Sequence, residues 1–373
     1  MLNRRKFLLM VLISAIAPSL QACGNADNTA KVRVLSGSIP SQVLGAFERQ
    51  FEGEQNLDLN PISQLEDLYE FLEELVEEEN SNRADLVTLG DFWLKTAIEK
   101  DLIQPLDLED LSNWNALPSR WRDLVKRDQQ GNPDSEGEIW AAPYRWGNTI
   151  IAYNEDKFRQ AGYDPPTDWE DLWREELKEK ISLLDQPREV IGLTLKKLGE
   201  SYNTDDLDAI SNLKSELSAL HKQVKFYSSS NYLEPLILGD TWVAVGWSND
   251  ILDLRTRYPN IRVITPNSGT ALWADVWVRP KGSERFLEPI LEWINFCWKK
   301  ETASQIGLFT NGSSPILLNG NQEEIPDDLK ADELRIPPSE ILERSEFLLP
   351  LSEETREKYQ EVWEETRMYS DSK

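Results

Sequence analysis

ALWADVW, residues 271–277, sets Trp273, Asp275 and Trp277 at alternate positions and Leu272, Ala274 and Val276 between them. Alternate side chains of a β-strand share a face. The stretch therefore reads as a strand with one apolar face, continued by Val278, and a second face on which a carboxylate lies between two indoles. A carboxylate beside two π-clouds suits a cation. The same pattern also arises where strand aromatics are there only for packing, and the residues alone leave both readings open.

Outward from this strand, the chain alternates in period. KVRVLSG (31–37) reads as a strand, and Val43, Leu44, Phe47 and Phe51 line one side of the helix that follows. QLEDLYEFLEELVEEEN carries a core stripe of Leu65, Leu68, Leu72, Leu75 and Val76, RADLVTLG (83–90) is a buried strand, and DFWLKTAIEKDLIQPLD gives a helix and a turn. Strand–helix–strand–helix order predicts an α/β layered lobe. A polar loop (126–138) precedes IWAAPYRWGNTIIAYN, which reads as two extended segments meeting at Pro143–Trp146. Asp168 is placed to cap a short helix in DPPTDWEDLW, residues 189–222 read as mostly helical, and KFYSSS (225–230) and WVAVGWS (242–248) read as strands. Beyond Glu284 the pattern is predominantly helical.

Composition excludes several function classes. The chain has 66 acidic against 40 basic residues, a net charge of −26. Nucleic-acid binding needs phosphate neutralisation by lysine and arginine, so no nucleic-acid partner is expected. The single histidine, His221, has no neighbours that would make a triad or a metal site, and no P-loop, G-x-S-x-G or G-x-G-x-x-G occurs. No metal, cofactor or catalytic residue is expected. An exported hydrolase using a carboxylate pair is the alternative from another class.

The amino end, MLNRRKFLLMVLISAIAPSLQAC, has Arg4, Arg5 and Lys6 ahead of an apolar run that is too short for a membrane span. It reads as an export signal over residues 1–22. Arg4–Leu8 resembles a twin-arginine signal, and Leu20–Cys23 resembles a lipobox that would make Cys23 the acylated N-terminus, with 23–30 as a tether. Cys297, the other of the two cysteines, then has no disulfide partner and reads as a buried packing thiol.

Several stretches, taken in order, resemble the extracellular solute-binding proteins of bacterial ABC importers, and most closely their spermidine/putrescine-binding branch. They are DLVTLGDFWLKTAIEKDLIQPLD, WAAPYRWGNTIIAYNEDKF, PPTDWEDLW, GDTWVAVGWSND and ALWADVWVRPKGS followed by EPILEWINF. The resemblance implies a two-lobed periplasmic-binding-protein fold of the α/β class, with a ligand cleft between lobes and hinge closure. Lobe 1 would be 31–143 plus 279–373 and lobe 2 would be 144–278.

Carried over from the resemblance, Trp273 packs on a polyamine chain and Asp275 binds an ammonium. Trp247 is a second stacking aromatic, Glu189 binds another amine, and Ser228 lies at the cleft. Phe92 and Trp93 stand where the first lobe offers aromatics. Gln186 occupies the position of an expected aspartate, and LSGSIPS lacks the family's first-lobe aromatics. The expected function is that of a substrate-binding lipoprotein without catalysis. It would be monomeric, outside the cytoplasm and held to the membrane through Cys23 alone. It would deliver a polyamine-like cation to ABC permease subunits. A sugar, an amino-acid-like solute or an anion is the alternative within the class.

Overall fold

The computed structural model describes residues 29–51, 56–77, 83–108, 111–283, 288–319 and 325–368. The expected export signal and the lipobox with Cys23 lie outside them. Thr29 and Ala30, expected in the tether, instead open the first strand, Thr29–Leu35, where Ala30 is buried.

Two long strands organise the chain. Ala142–Asn154 and Ala271–Pro280 run antiparallel and are both almost wholly buried. On one side, Ala271–Pro280 pairs antiparallel with Leu86–Gly90, beyond which lie Thr29–Leu35 and Asn56–Ile62, these three strands being mutually parallel. On the other side, Ala142–Asn154 pairs antiparallel with Val243–Trp247, followed in parallel by Ile181–Leu183 and Val224–Tyr227. The LVTLG strand is buried along its whole length, as expected for a strand of a parallel sheet covered on both faces.

Helices cover both halves. Leu65–Glu77 turns Leu68 and Leu72 into the first core, and Glu66 and Asp67 in its first turn complement the helix dipole. Asp168 and Asp171 form a reciprocal capping box over the 3₁₀ turn Trp169–Trp173. The core divides accordingly. One cluster is built around Phe47, Leu89, Trp146, Trp277 and Trp293, a second around Trp169, Ile181, Leu193 and Leu217, and a smaller third around Ile150, Tyr232 and Ile251. Cys297 is buried in the first cluster, where burial pushes its thiol pKa well up.

Trp277 belongs to this core rather than to an open cationic face. The pairing of the two long strands slips between Asp275 and Val276, so that Tyr144 is an extra residue on its strand. Tyr144 stacks on Trp277 at 4.2 Å between ring centroids, and Trp293 of the helix Glu288–Cys297 meets Trp277 edge-on at 6.4 Å. From Ala142 to Asn154 this stretch is thus one strand with a local irregularity, not two segments joined at Pro143–Trp146, and Ile139 belongs to the short strand Glu138–Ile139.

The end of the chain departs from the expected division into lobes. Helix Glu353–Met368 buries Thr355, Tyr359, Val362, Trp363 and Thr366, a helical stripe, and Tyr359, Val362 and Trp363 pack in the second cluster. Tyr359 Oη donates to the carbonyl of Thr204 at 2.9 Å, and Trp363 lies edge-on to Tyr227 at 5.3 Å. The sequence pattern beyond Glu284 predicts helix, and packing shows which core receives its buried face. Replacing Trp363 with alanine is expected to cost about 3–5 kcal/mol in urea unfolding. A cost below about 1 kcal/mol would show that the helix is peripheral to that core.

Candidate ligand site

On the strand Ala142–Asn154, residues 145, 147 and 149 share a face. Each sits directly opposite a residue of another strand: Arg145 opposite Asp275, Gly147 opposite Trp273, and Thr149 opposite Trp247. Strand rise separates the first rung from the third by roughly 13 Å. The rungs lie where the two halves of the sheet meet, beside the carboxyl ends of Leu86–Gly90, Ile181–Leu183 and Val243–Trp247. Ligands of open α/β sheets bind outside such strand ends.

In the first rung, Arg145 Nε donates to Asp275 Oδ2 at 2.6 Å, with both side chains buried (6 % and 1 % exposed). The Arg145 guanidinium also lies 5.6 Å from the Trp273 ring centroid. Asp275, expected to meet a ligand ammonium, thus has a cation of the protein's own beside it. Burial raises the Asp275 pKa, while the charge and hydrogen bond of Arg145 pull it down.

The second rung depends on glycine. A Cβ at position 147 would fall 2.2 Å from the Trp273 ring and 2.4 Å from Ser248 Oγ, so the indole lies directly over the backbone there. Trp273 Nε1 is buried without a hydrogen-bond acceptor among the described residues.

The third rung ends in Glu189, in the first turn of helix Pro187–Lys197. Thr149 Oγ1 lies 3.0 Å from each carboxylate oxygen as donor, and Trp247 Nε1 donates to Oε1 at 3.0 Å. Burial raises the Glu189 pKa, and these two hydrogen bonds and the nearby Arg188 oppose it. The structure thus joins Asp275, Trp273, Trp247 and Glu189 along one face.

Phe92 is brought to the edge of this face. Gly90, which pairs with Asp275, has the Phe92 ring folded against its Cα, and Phe92 is half exposed. Trp93 goes elsewhere, stacked on Tyr69 of helix Leu65–Glu77 at 5.0 Å. The Ser228 hydroxyl accepts from the backbone N–H groups of Ser230 and Asn231, so it holds the turn after Val224–Tyr227. A cavity of about 410 Å³, lined by Asp168, Lys196, Asn267 and Arg344 among others, contains none of the rung residues.

Three residues of this neighbourhood escaped sequence reasoning. Arg145 and Thr149, with Gly147 between them, follow the alternate spacing of RWGNT, a signal hidden by dividing that strand in two. Asp91 is the third. It is buried and accepts from the backbone N–H of Ala274 at 2.7 Å, and burial pushes its pKa up to about 7. Nothing local marks it, since GDFW places it at the start of a 3₁₀ turn.

The sign of its pH effect follows. A carboxyl whose folded pKa exceeds its unfolded value binds more protons in the folded state, so stability falls as pH rises between the two values. For Asp91 that window runs from about 4 to about 7, and its full span amounts to about 4 kcal/mol. Asp275 and Glu189 shift in the same direction. Asp91→Asn keeps an acceptor for Ala274 and is expected to flatten the decline of Tm between pH 4.5 and 7. An unchanged slope in the variant would mean that Asp91 is ionised throughout this range.

A family model described as bacterial extracellular solute-binding protein matches residues 81–343. The spermidine/putrescine-binding periplasmic protein of Escherichia coli (strain K12) is 28% identical over 265 residues, covering 70% of this chain and 72% of that one. Spermidine/putrescine-binding periplasmic protein 1 of Haemophilus influenzae is 24% identical over 356 residues, covering 92% and 94%. Among solved structures, a spermidine/putrescine ABC transporter substrate-binding protein from Streptococcus pneumoniae superposes with a TM-score of 0.79 at 22% identity, covering 91% of this chain and 99% of that one.

Proposed function

We propose that this chain, which belongs to the bacterial extracellular solute-binding protein family, captures a small amine-bearing solute between its two lobes and delivers it to an ABC permease without catalysis. The observation that carries the reading is the row of three rungs. It presents two indoles, Trp273 and Trp247, between a buried Arg145–Asp275 pair and a buried Glu189. Indole faces cover methylenes, each worth about 0.8 kcal/mol when buried, and attract ammonium groups. The polyamine-binding names of the two relatives support an amine.

Closure has a support outside the rungs. Arg255, on helix Ser248–Arg257 of the second lobe, forks onto Asp332, with Nη1 to Oδ1 at 3.2 Å and Nη2 to Oδ2 at 2.8 Å. Asp332 follows helix Asp327–Lys330, whose Leu329 packs in the first cluster. Burial would raise the Asp332 pKa, but the hydrogen bonds and charges of Arg255 and Arg335 hold it below the usual range. The pair spans the two lobes and fits a latch of the closed form.

A true ligand is expected to compact the protein in solution scattering. It should also stabilise it by about 2.7 kcal/mol at a hundredfold excess over Kd. Absence of both effects with polyamines, amino acids and sugars would overturn the transport reading.

Acylation of Cys23 is proposed as the membrane anchor. Cys23→Ser should leave the precursor unprocessed or release the protein to the soluble fraction. Wild-type migration and fractionation of the variant would rule the anchor out.

A further inference from the structure

We infer that the Arg145 end of the site takes a hydrogen-bond acceptor rather than an ammonium, so that the ligand is an amine carrying an amide or carboxylate oxygen at its far end. This inference rests on the amine-binding reading above and narrows its ligand class.

Three observations carry it. Asp275 already has its counter-ion, since Arg145 Nε meets it at 2.6 Å and no other ion pair or hydrogen bond of Asp275 occurs among the described residues. The Trp273 face that could hold a cation is occupied by the same guanidinium, 5.6 Å from the ring centroid. Finally, open donors outnumber open acceptors at this end of the row, where Asp275 Oδ1 is the acceptor left beside them among the described residues. Among the described residues, neither Nη of Arg145 makes a hydrogen bond, and Trp273 Nε1 is buried without one. A guanidinium has five N–H donors and no acceptor, and an indole N–H only donates. An ammonium brought here would find Asp275 Oδ1 as its one open acceptor, beside the Arg145 guanidinium and its open donors, and would set a cation against a cation. An oxygen acceptor would satisfy both groups.

The other end has the opposite chemistry. Glu189 is a buried carboxylate whose hydrogen-bond partners, Thr149 and Trp247, are neutral, and the nearby Arg188 acts on it through its charge without a hydrogen bond or ion pair. An ammonium there supplies the charge that these donors lack. Two further carboxyls lie near the Arg145–Asp275 pair: Asp91 accepts from the backbone N–H of Ala274 at 2.7 Å, and Asp250 accepts from Tyr232 Oη at 2.9 Å and from Asn249 Nδ2 at 2.8 Å. The row therefore has room for one ligand cation, at the Glu189 end, where a free diamine would bring two.

The test is calorimetric titration of the full chain with matched probes. They are putrescine, N-acetylputrescine and 4-aminobutyrate, with the five-carbon set of cadaverine, N-acetylcadaverine and 5-aminopentanoate beside them. An acetylated amine or an amino acid is expected to bind roughly ten- to a hundredfold tighter than the diamine of its length, the value of a hydrogen bond to a charged group. Which of the two wins identifies the acceptor as amide or carboxylate. Arg145→Gln frees Asp275 and should reverse the order in favour of the diamine. If removing one member of the buried pair prevents folding, Arg145→Gln combined with Asp275→Asn replaces it. That double variant should lose the preference without gaining diamine affinity. Diamines that bind wild type as tightly as the acceptor-ended probes, or an order that Arg145→Gln leaves unchanged, would overturn the inference and leave amine binding standing. Binding of neither kind, with no response to spermidine, would overturn the amine-binding reading as well.

Discussion

A guanidinium and a carboxylate sit 2.6 Å apart where the two long strands cross, and neither reaches water to any extent. Taking two charges out of water costs several kcal/mol each, which their attraction offsets only when geometry and further hydrogen bonds are good. Removing either partner leaves the other charge buried and alone, a loss of about 3–5 kcal/mol. The Arg145–Asp275 pair therefore constrains its surroundings. A one-residue slip of either strand would turn one of the two groups to the opposite face.

The pair sits beside the strand irregularity. Tyr144, the residue before Arg145, has no cross-strand partner and stacks on Trp277, closing the first core below the pair. Its hydroxyl donates to Ser38 Oγ at 2.9 Å and lies 3.1 Å from Thr88 Oγ1, so its polar end is satisfied inside the lobe. On the other side, Gly312 approaches so closely that a Cβ there would lie 2.8 Å from Arg145 Cγ. The arginine stem is thus enclosed by the first lobe while its guanidinium meets the crossing strand. Asp91 adds a further carboxyl, holding the backbone of Ala274 beside Asp275. Burial pushes the pKa of that carboxyl up to about 7, opposed by its hydrogen bond from Ala274 and the charge of Arg127.

The same arrangement relates the fold to ligand choice. A family fold with a row of aromatics and carboxylates admits several solutes, and a buried charge decides among them because an unmatched one is expensive. Here the first rung is internally neutral and rich in donors, whereas the third is negative. Selection then depends on what each end lacks: an acceptor at Arg145 and Trp273, a cation at Glu189.

What could be read from the sequence was set by local periodicity. The strand pattern of ALWADVW, the buried run LVTLG, the leucine stripe of Leu65–Glu77 and the Asp168 cap each follow from spacing within about a dozen residues, and each appears in the structure. The two-lobed α/β architecture and the family were legible because motifs of that kind recur in a fixed order. Trp273, Trp247, Glu189 and Asp275 were legible as candidates for the same reason. Their partners were not. Arg145 and Asp275 are 130 residues apart, Thr149 and Glu189 are 40, and Asp91 meets Ala274 across 183. Spacing shows which face a side chain takes but not which distant group will stand opposite it. That choice rests on strand register and on one extra residue at Tyr144. The helix Glu353–Met368 meets the same limit: its pattern predicts helix, and only packing shows that the second cluster receives its buried face. Local sequence determined the elements and the chemistry available. Tertiary structure decided which charges neutralise one another within the protein and which donors and carboxylate remain for a ligand.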